Sequence, residues 1–590
     1  DADTAGGQVD RIDLAVDQAG AREMSQSDEI DMTGVEVVVA RDVARQHAGV
    51  GRVELLRDDR HVERADGSVV DVDLSPDPRF GASAPVRTRA TRTLPSGATV
   101  VSGATRKATL TDSADPLAVK RLDAKSTGVE TLTWTYDGAS KVVTEMSAEG
   151  RTSSWTLDEV GRAVLSTTPG GPDIATTYDA VGRAAAVENG DAKWTQTIDP
   201  QTGSIAVTGP SSSSTASFDE HGRVVSFAHG DEVETIQAFD SAGSLVEVRP
   251  GGAGAHVLAR DGEGRISATA TPAVPGNPIV DVSYERDVDG NIVRVSRGGN
   301  DVMTIGRDQA GAIDTVDGAY LSIVAQRDPA GLLERLSVSG GATVELERDG
   351  DRLTSETWSG PIAGVVRYDY DNDRVSEMTV GDIETAIKRD RDGVLIGVGP
   401  ITRKIDPATG LATATTIGDV TVTMGYDDNG RTTAVDVAGP DGALASRRIG
   451  RDALGRVAET NEVVGEATST AGFGYDAAGR LAGTSGVAAA AGATTVGPDG
   501  DLATIAGQPS TIDVAGRLTA VGPTKLGYDS AGRVTTMNGS DGVTTYEWDG
   551  LGRLAGVRLP DGRRVTYLID GDGRRIARDV DGKRTTGWLY

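Results

Sequence analysis

One short phrase keeps returning in this chain, and the distance between its returns limits what the chain can fold into. It reads YDAVGR at Tyr178, Asp179, Gly182 and Arg183, YDDNGR at Tyr426, Asp427, Gly430 and Arg431, and YDAAGR at Tyr475, Asp476, Gly479 and Arg480. It recurs as YDSAGR at Tyr528, Asp529, Gly532 and Arg533, and as WDGLGR at Trp548, Asp549, Gly552 and Arg553. With the Asp of each unit as anchor, the series runs from Asp137 to Asp570 at a mean spacing of about 21 residues. Some units drift, as in DVDGN from Asp287, and at Gly497 the Asp is lost, yet the period survives. A sustained period of this length specifies an array of one small unit, which overrides the several domains that length alone would suggest.

The chemistry of the unit is turn chemistry. Asp favours the first position of a type I turn, where its carboxylate accepts nearby backbone N–H groups. Gly three places later takes the positive φ that closes a hairpin with a bulge. A strand-forming residue precedes many anchors, either an aromatic or Leu157 or Ile512. Apolar residues recur at anchor+5 (Leu245, Ile292, Leu333) and anchor+8 (Val187, Val248, Val295). That gap of three is odd for a strand, where one face repeats every two residues. Either a β-bulge intervenes or the two residues face opposite sides. Two turns and many Thr, Val and Gly in 20 residues leave no room for a helix, so each unit reads as one hairpin. The expectation is an all-β array of about 20 β-hairpins, roughly 40 strands. The repeated Arg has two readings, a solvated charge beside a turn or a side chain that pairs with an Asp and packs over a neighbouring unit's Tyr.

Composition narrows the class. The chain has no Cys and a net charge of −29, which argues against nucleic-acid or anionic-membrane partners. A hydrophobic content of 38% suits a thin wall with much solvated surface better than a compact globule. No run of 18 apolar residues occurs, so no helical membrane span is expected. Residues 1–30 are polar and read as an N-terminal linker or frayed end, and 31–130 as a β-rich segment leading into the array of 131–590. Ser75–Val86, Gly209–Ser217 and Thr271–Pro278 read as loops because of their Pro, Gly and Ser.

No catalytic constellation is legible. The five His form no H-E-x-x-H, and without Cys there is no obvious zinc set; no cofactor is expected. DPAGL from Asp328 and DPATGL from Asp406 sit in register as ordinary turns. Asp369, Asp371 and Asp373 alternate carboxylates as weak calcium candidates, but the EF-hand positions for Gly and Glu hold Arg374 and Val380.

The YDxxGRL units resemble the YD repeats of Rhs proteins, of the C component of bacterial ABC toxins and of the teneurins. The likeness covers about three quarters of the chain, from Leu132 to Tyr590, and DPRFG (Asp77–Gly81) through DPLAV (Asp115–Val119) looks like the region preceding such repeats. The resemblance implies a spiral antiparallel sheet wound into a large hollow barrel-like shell. It further implies a secreted or cell-surface bacterial protein without enzymatic activity, enclosing a C-terminal effector or toxin polypeptide. A teneurin-like scaffold binding a cell-surface receptor or glycan is the alternative. The family's closing segment, with its aspartic self-cleavage motif, is expected beyond Tyr590.

Overall fold

The computed structural model describes residues 53–55 and 59–589, apart from short stretches at 191, 212, 231–233, 275–280, 299, 319–320, 477–478, 487–494 and 497–501. The expected linker at 1–30 and the start of the β-rich segment lie outside the described residues.

The repeated phrase folds by closing on itself. In the unit at Asp529, the anchor N–H donates to the Arg533 carbonyl (2.9 Å) and the Gly532 N–H donates to the Asp529 carbonyl (3.0 Å). The Asp529 carboxylate accepts the N–H groups of Ala531 (2.8 Å) and Arg533 (2.9 Å) through Oδ1, and Arg533 Nε (2.7 Å) through Oδ2. Five residues thus satisfy their own turn, so the unit needs no distant partner to form. Asp328 and Asp406 close the same kind of turn with Leu332 and Leu411.

A bulge follows every turn that carries the full D-x-x-G-R among the described strands. Phe239 faces Leu245 and Ala238 faces Glu247, so residue 246 is the extra one. The bulge falls between anchor+5 and anchor+8 and returns both to the face that carries anchor−1 and anchor−3. Of the two readings of the odd gap, the structure takes the bulge.

Every described strand pairs antiparallel with the next, giving a forty-stranded and an eleven-stranded sheet and no helix among the described residues. The break lies between Leu481–Gly486 and Thr495–Val496. Two loop expectations fail. Val69–Asp77 and Gly81–Thr93 carry strands through most of Ser75–Val86, with Pro76 opposite Pro85 beside a bulge, where ladder pairing is already interrupted. Ser213–Phe218 is likewise a strand, because small Ser and Thr still fit a pleated ladder.

The ribbon returns on itself. Arg151 meets Asp392 241 residues later, Glu130 meets Arg374 after 244, Ser96 meets Asp349 after 253, and Pro361 meets Arg584 after 223. Contacts at this steady offset describe a spiral of about 240 residues per winding. Twenty-three strands, from Thr152–Leu157 to Ile383–Arg389, make one circuit between Arg151 and Asp392.

The apolar core is correspondingly thin. Seventeen hydrophobic residues are buried among the described residues, too few for a globule of this length. The larger of two clusters, Ala342, Val344, Trp358 and Ile576, joins one winding to the next. Elsewhere both faces stay accessible. Phe227 and Ile236 project to opposite faces of adjacent strands and are 42% and 44% exposed.

Candidate functional site: the repeat latch and the seam between windings

The repeat Arg does one job in its own unit and, where the next unit offers an aromatic, a second one there. Through Nε it pairs with the Asp of its own unit, as in Arg183–Asp179, Arg431–Asp427, Arg480–Asp476, Arg533–Asp529 and Arg553–Asp549. Its guanidinium can also lie over the aromatic of the next unit. Arg162 stands 4.3 Å from the Tyr178 ring, Arg456 4.3 Å from Tyr475, Arg517 4.8 Å from Tyr528 and Arg533 6.0 Å from Trp548. The aromatic reaches back in turn. Tyr178, Tyr475 and Tyr528 donate their hydroxyls, and Trp548 its indole N–H, to the anchor+5 carbonyl of the preceding unit. Tyr426 donates to Ala412 in the same way. At Tyr178, Tyr475, Tyr528 and Trp548 the unit is therefore latched to the one before by a stacked cation and a hydrogen bond, together worth about 1–2 kcal/mol.

Sequence reasoning missed a second version of the latch. Where anchor−1 is Arg, that side chain takes the aromatic's place. Arg260 and Arg451 donate to the anchor+5 carbonyls of Leu245 and Thr432, and to the Gly264 and Gly455 carbonyls of their own turns. Arg260, Arg307, Arg327 and Arg348 all follow units whose own motif Arg has become Ser244, Asn291, Ala312 or Leu332. At these four junctions the guanidinium lost from one side is present on the other, whereas Arg286 and Arg451 follow units that keep Arg265 and Arg431. The signal was present in the sequence as alternation of Arg with aromatics before the anchor.

The carboxylates of Asp179, Asp219 and Asp427 are held below the usual carboxylate range. The Arg223 guanidinium and its backbone N–H pull Asp219 down to about 2. The backbone N–H of Arg183 is the main cause of the same downward shift at Asp179. For Asp427 burial opposes the shift, but the Arg431 N–H and guanidinium outweigh it.

The seam between windings is polar at its best-buried point. Arg151, 8% exposed, sits between Asp390 (2.7 Å) and Asp392, themselves 12% and 4% exposed. Asp392 also accepts the Ser147 hydroxyl (2.6 Å) and the Glu149 N–H (2.9 Å). Arg391 answers Glu149 from the other winding, in the open. Further along, Trp358 and Tyr368 surround Glu356, and Arg574 of the next winding lies 5.0 Å from the Trp358 ring. Burial first, and the nearby Glu356 carboxylate second, push Tyr368 up to about 12.

The calcium candidates part company here. Asp373 receives Arg92 and Arg352, the first from the earlier winding, while Asp369 and Asp371 are exposed on their strand. Among the described residues no group of three acids or His could hold a metal ion. Asp373 serves the seam as an ion-pair partner.

Solved structures share this architecture. The Tc holotoxin pore of Photorhabdus luminescens with a TccC3 mutation aligns with a TM-score of 0.51 at 12% identity, over 88% of this chain and 32% of that one. The TcdB2-TccC3-TEV structure aligns with the same TM-score, identity and coverage. The chain thus spans about a third of the length of these neighbours, and the likeness establishes the fold. No curated protein matches the chain. The family model described as teneurin YD-shell matches residues 1–590. With its latched hairpins wound through about two circuits, the chain belongs to the teneurin YD-shell family.

Proposed function

We propose that this chain is the wall of a shell that encloses a C-terminal effector polypeptide of an exported bacterial protein. The observation that carries the reading is a one-sheet-thick ribbon that comes back on itself while both its faces stay open to solvent. Twenty-three strands at about 4.8 Å give a circumference of about 110 Å, hence about 35 Å across. Taking off about 10 Å for the side chains that line a sheet leaves a lumen about 25 Å wide. That is wide enough for extended or helical chain. The action is steric rather than catalytic: a wall keeps the enclosed chain from solvent, proteases and the producing cell. The holotoxin and TcdB2-TccC3 neighbours support a place in toxin delivery.

Adhesion has no comparable support. The exposed aromatic side chains among the described residues are Phe227 and Trp588, which form no shared patch in sequence or register.

Protease protection tests the proposal. The complete natural protein is digested before and after the shell is opened with denaturant, and fragments of the region beyond this chain are followed by mass spectrometry. Survival until opening is expected. Digestion at the same rate in both conditions would falsify enclosure.

A further inference from the structure

Antiparallel hairpins in strict succession put the D-x-x-G-R turns on one rim of the ribbon and the turns joining unit to unit on the other. At the seam, motif turns of the second winding sit on joining turns of the first, as Asp390 and Asp392 do on Ser147–Arg151. Beside that contact the two rims leave a cavity of 480 Å³. Lys125, Val129, Thr131, Thr133 and Ser147 line it from the first winding and Arg391 from the second. Strands Val119–Thr127 and Leu132–Asp137 carry the first-winding side, with Lys125 directly opposite Thr133, and the loop 128–131 joins them. Ser147 ties the cavity to the buried part of the seam, because its hydroxyl donates to Asp392 (2.6 Å).

The lining carries two cations and no carboxylate, in a chain whose net charge is −29. Acids adjacent to it in sequence are already paired, Glu130 with Arg374, Asp392 with Arg151 and Glu149 with Arg391. The donors of the lining are less occupied. Arg391 gives Nε and Nη2 to Glu149, at 2.9 and 3.2 Å, and its Nη1 finds no acceptor among the described residues. Among the same residues the Lys125 ammonium and the hydroxyls of Thr131 and Thr133 have no hydrogen-bond or ion-pair partner. The N–H groups of residues 128–131 donate to no carbonyl there either.

We propose that this cavity binds a phosphate monoester on a small polar body, and that the ligand ties the two windings together. The head group is close to a dianion at neutral pH, which matches the Lys125 ammonium and the free edge of the Arg391 guanidinium. The hydroxyls of Thr131 and Thr133 and the loop N–H groups are donors for its remaining oxygens. The space falls within the about 300–1,000 Å³ of small-molecule sites and exceeds what a bare phosphate fills, which leaves room for the polar body. Lys125 and Arg391 lie on different windings, so a ligand that holds both favours the closed seam by mass action. The site does not depend on what the shell contains.

Hydrogen exchange of the 590-residue chain tests it, with glucose 6-phosphate as the probe and sodium chloride holding the ionic strength constant. Exchange of the amides flanking residues 150 and 391 should slow saturably, by about tenfold when the ester reaches about ten times its dissociation constant. Inorganic phosphate should act more weakly, and glucose should have no effect. Lys125→Ala removes an exposed cation and should weaken the effect of the ester at least about tenfold. Amides near Ser96 and Asp349, at another stretch of the seam, should exchange at an unchanged rate throughout. That control separates local binding from a general salt effect and shows that the variant folds. The proposal is overturned if neither phosphate slows exchange, if Lys125→Ala responds as the parent chain does, or if the slowing extends equally to Ser96 and Asp349.

Discussion

The seam at Arg151 yields the sharpest quantitative prediction. Arg151→Ala leaves Asp390 and Asp392 facing each other across a site from which nearly all solvent is excluded. Removing one partner of a buried ion pair costs about 3–5 kcal/mol. The lower end applies, because Asp392 keeps Ser147 and the Glu149 N–H while Asp390 keeps the N–H groups of Asp392 and Val394. Arg391→Ala removes a pair from the same seam, but Arg391 is 71% exposed, and such pairs are worth about 0–1 kcal/mol. A chain this long will not unfold in two states, so a global midpoint is the wrong readout. Hydrogen exchange reports the local opening. At about 1.4 kcal/mol per factor of ten, exchange of the amides flanking residues 150 and 391 should rise on the order of 100-fold in Arg151→Ala and by less than about fivefold in Arg391→Ala. Similar increases in the two variants would refute a seam held by its buried charge. Replacing all three charges together, as Arg151→Met with Asp390→Asn and Asp392→Leu, should recover much of the protection, since no stranded charge then remains at the site.

Three further outcomes follow from the turns and the latch. Gly455 and Gly532 share a left-handed φ near +80°, so alanine at either costs about 1–2 kcal/mol; a Cβ on Gly455 would also strike Arg431 of the unit before, while Gly532 has open space, so Gly455→Ala should give the larger rise in amide exchange at its own turn. Tyr475→Phe keeps the ring under Arg456 but loses the hydroxyl bond to Val457 (2.8 Å), and should cost about 1 kcal/mol, read as faster amide exchange at that junction alone. Acid should loosen the array between about pH 4 and 2. Asp219, Asp179 and Asp427 are ionised in the fold below their usual range, so their stabilisation is full above the unfolded pKa and is lost as pH falls through the folded one. A circular-dichroism titration flat over that window would contradict the turn assignment.

Particular residues show how far the sequence reached. Asp179, Gly182 and Arg183 identify a turn by themselves, because the carboxylate, the positive φ and the guanidinium all act within five residues. The bulge was legible only as an unexplained gap between Leu245 and Val248, since spacing cannot say on which face a residue lands. The Arg form of the latch was missed at Arg260 and Arg451 because a charged residue before a turn looks like solvated surface until its carbonyl partners are in place. Strands at Gly81–Thr93 and Ser213–Phe218 were hidden by Pro and Ser, whose local preferences the ladder overrode.

By itself the sequence determined the unit: a hairpin closed by its own Asp, bulged after its Gly and latched to its neighbour through Arg and an aromatic. All of those interactions act within one period or between adjacent periods, so the local sequence encodes them, although the turn alone was legible without the structure. Only the tertiary structure decided that about 240 residues make one circuit, and that Arg151 finds Asp392 or Ile576 finds Trp358. That number accumulates from the twist and tilt of twenty-three successive strands and is settled where one rim meets the next. No residue encodes it alone, because each strand contributes only a small rotation and the partners that lock the sum are a full winding apart.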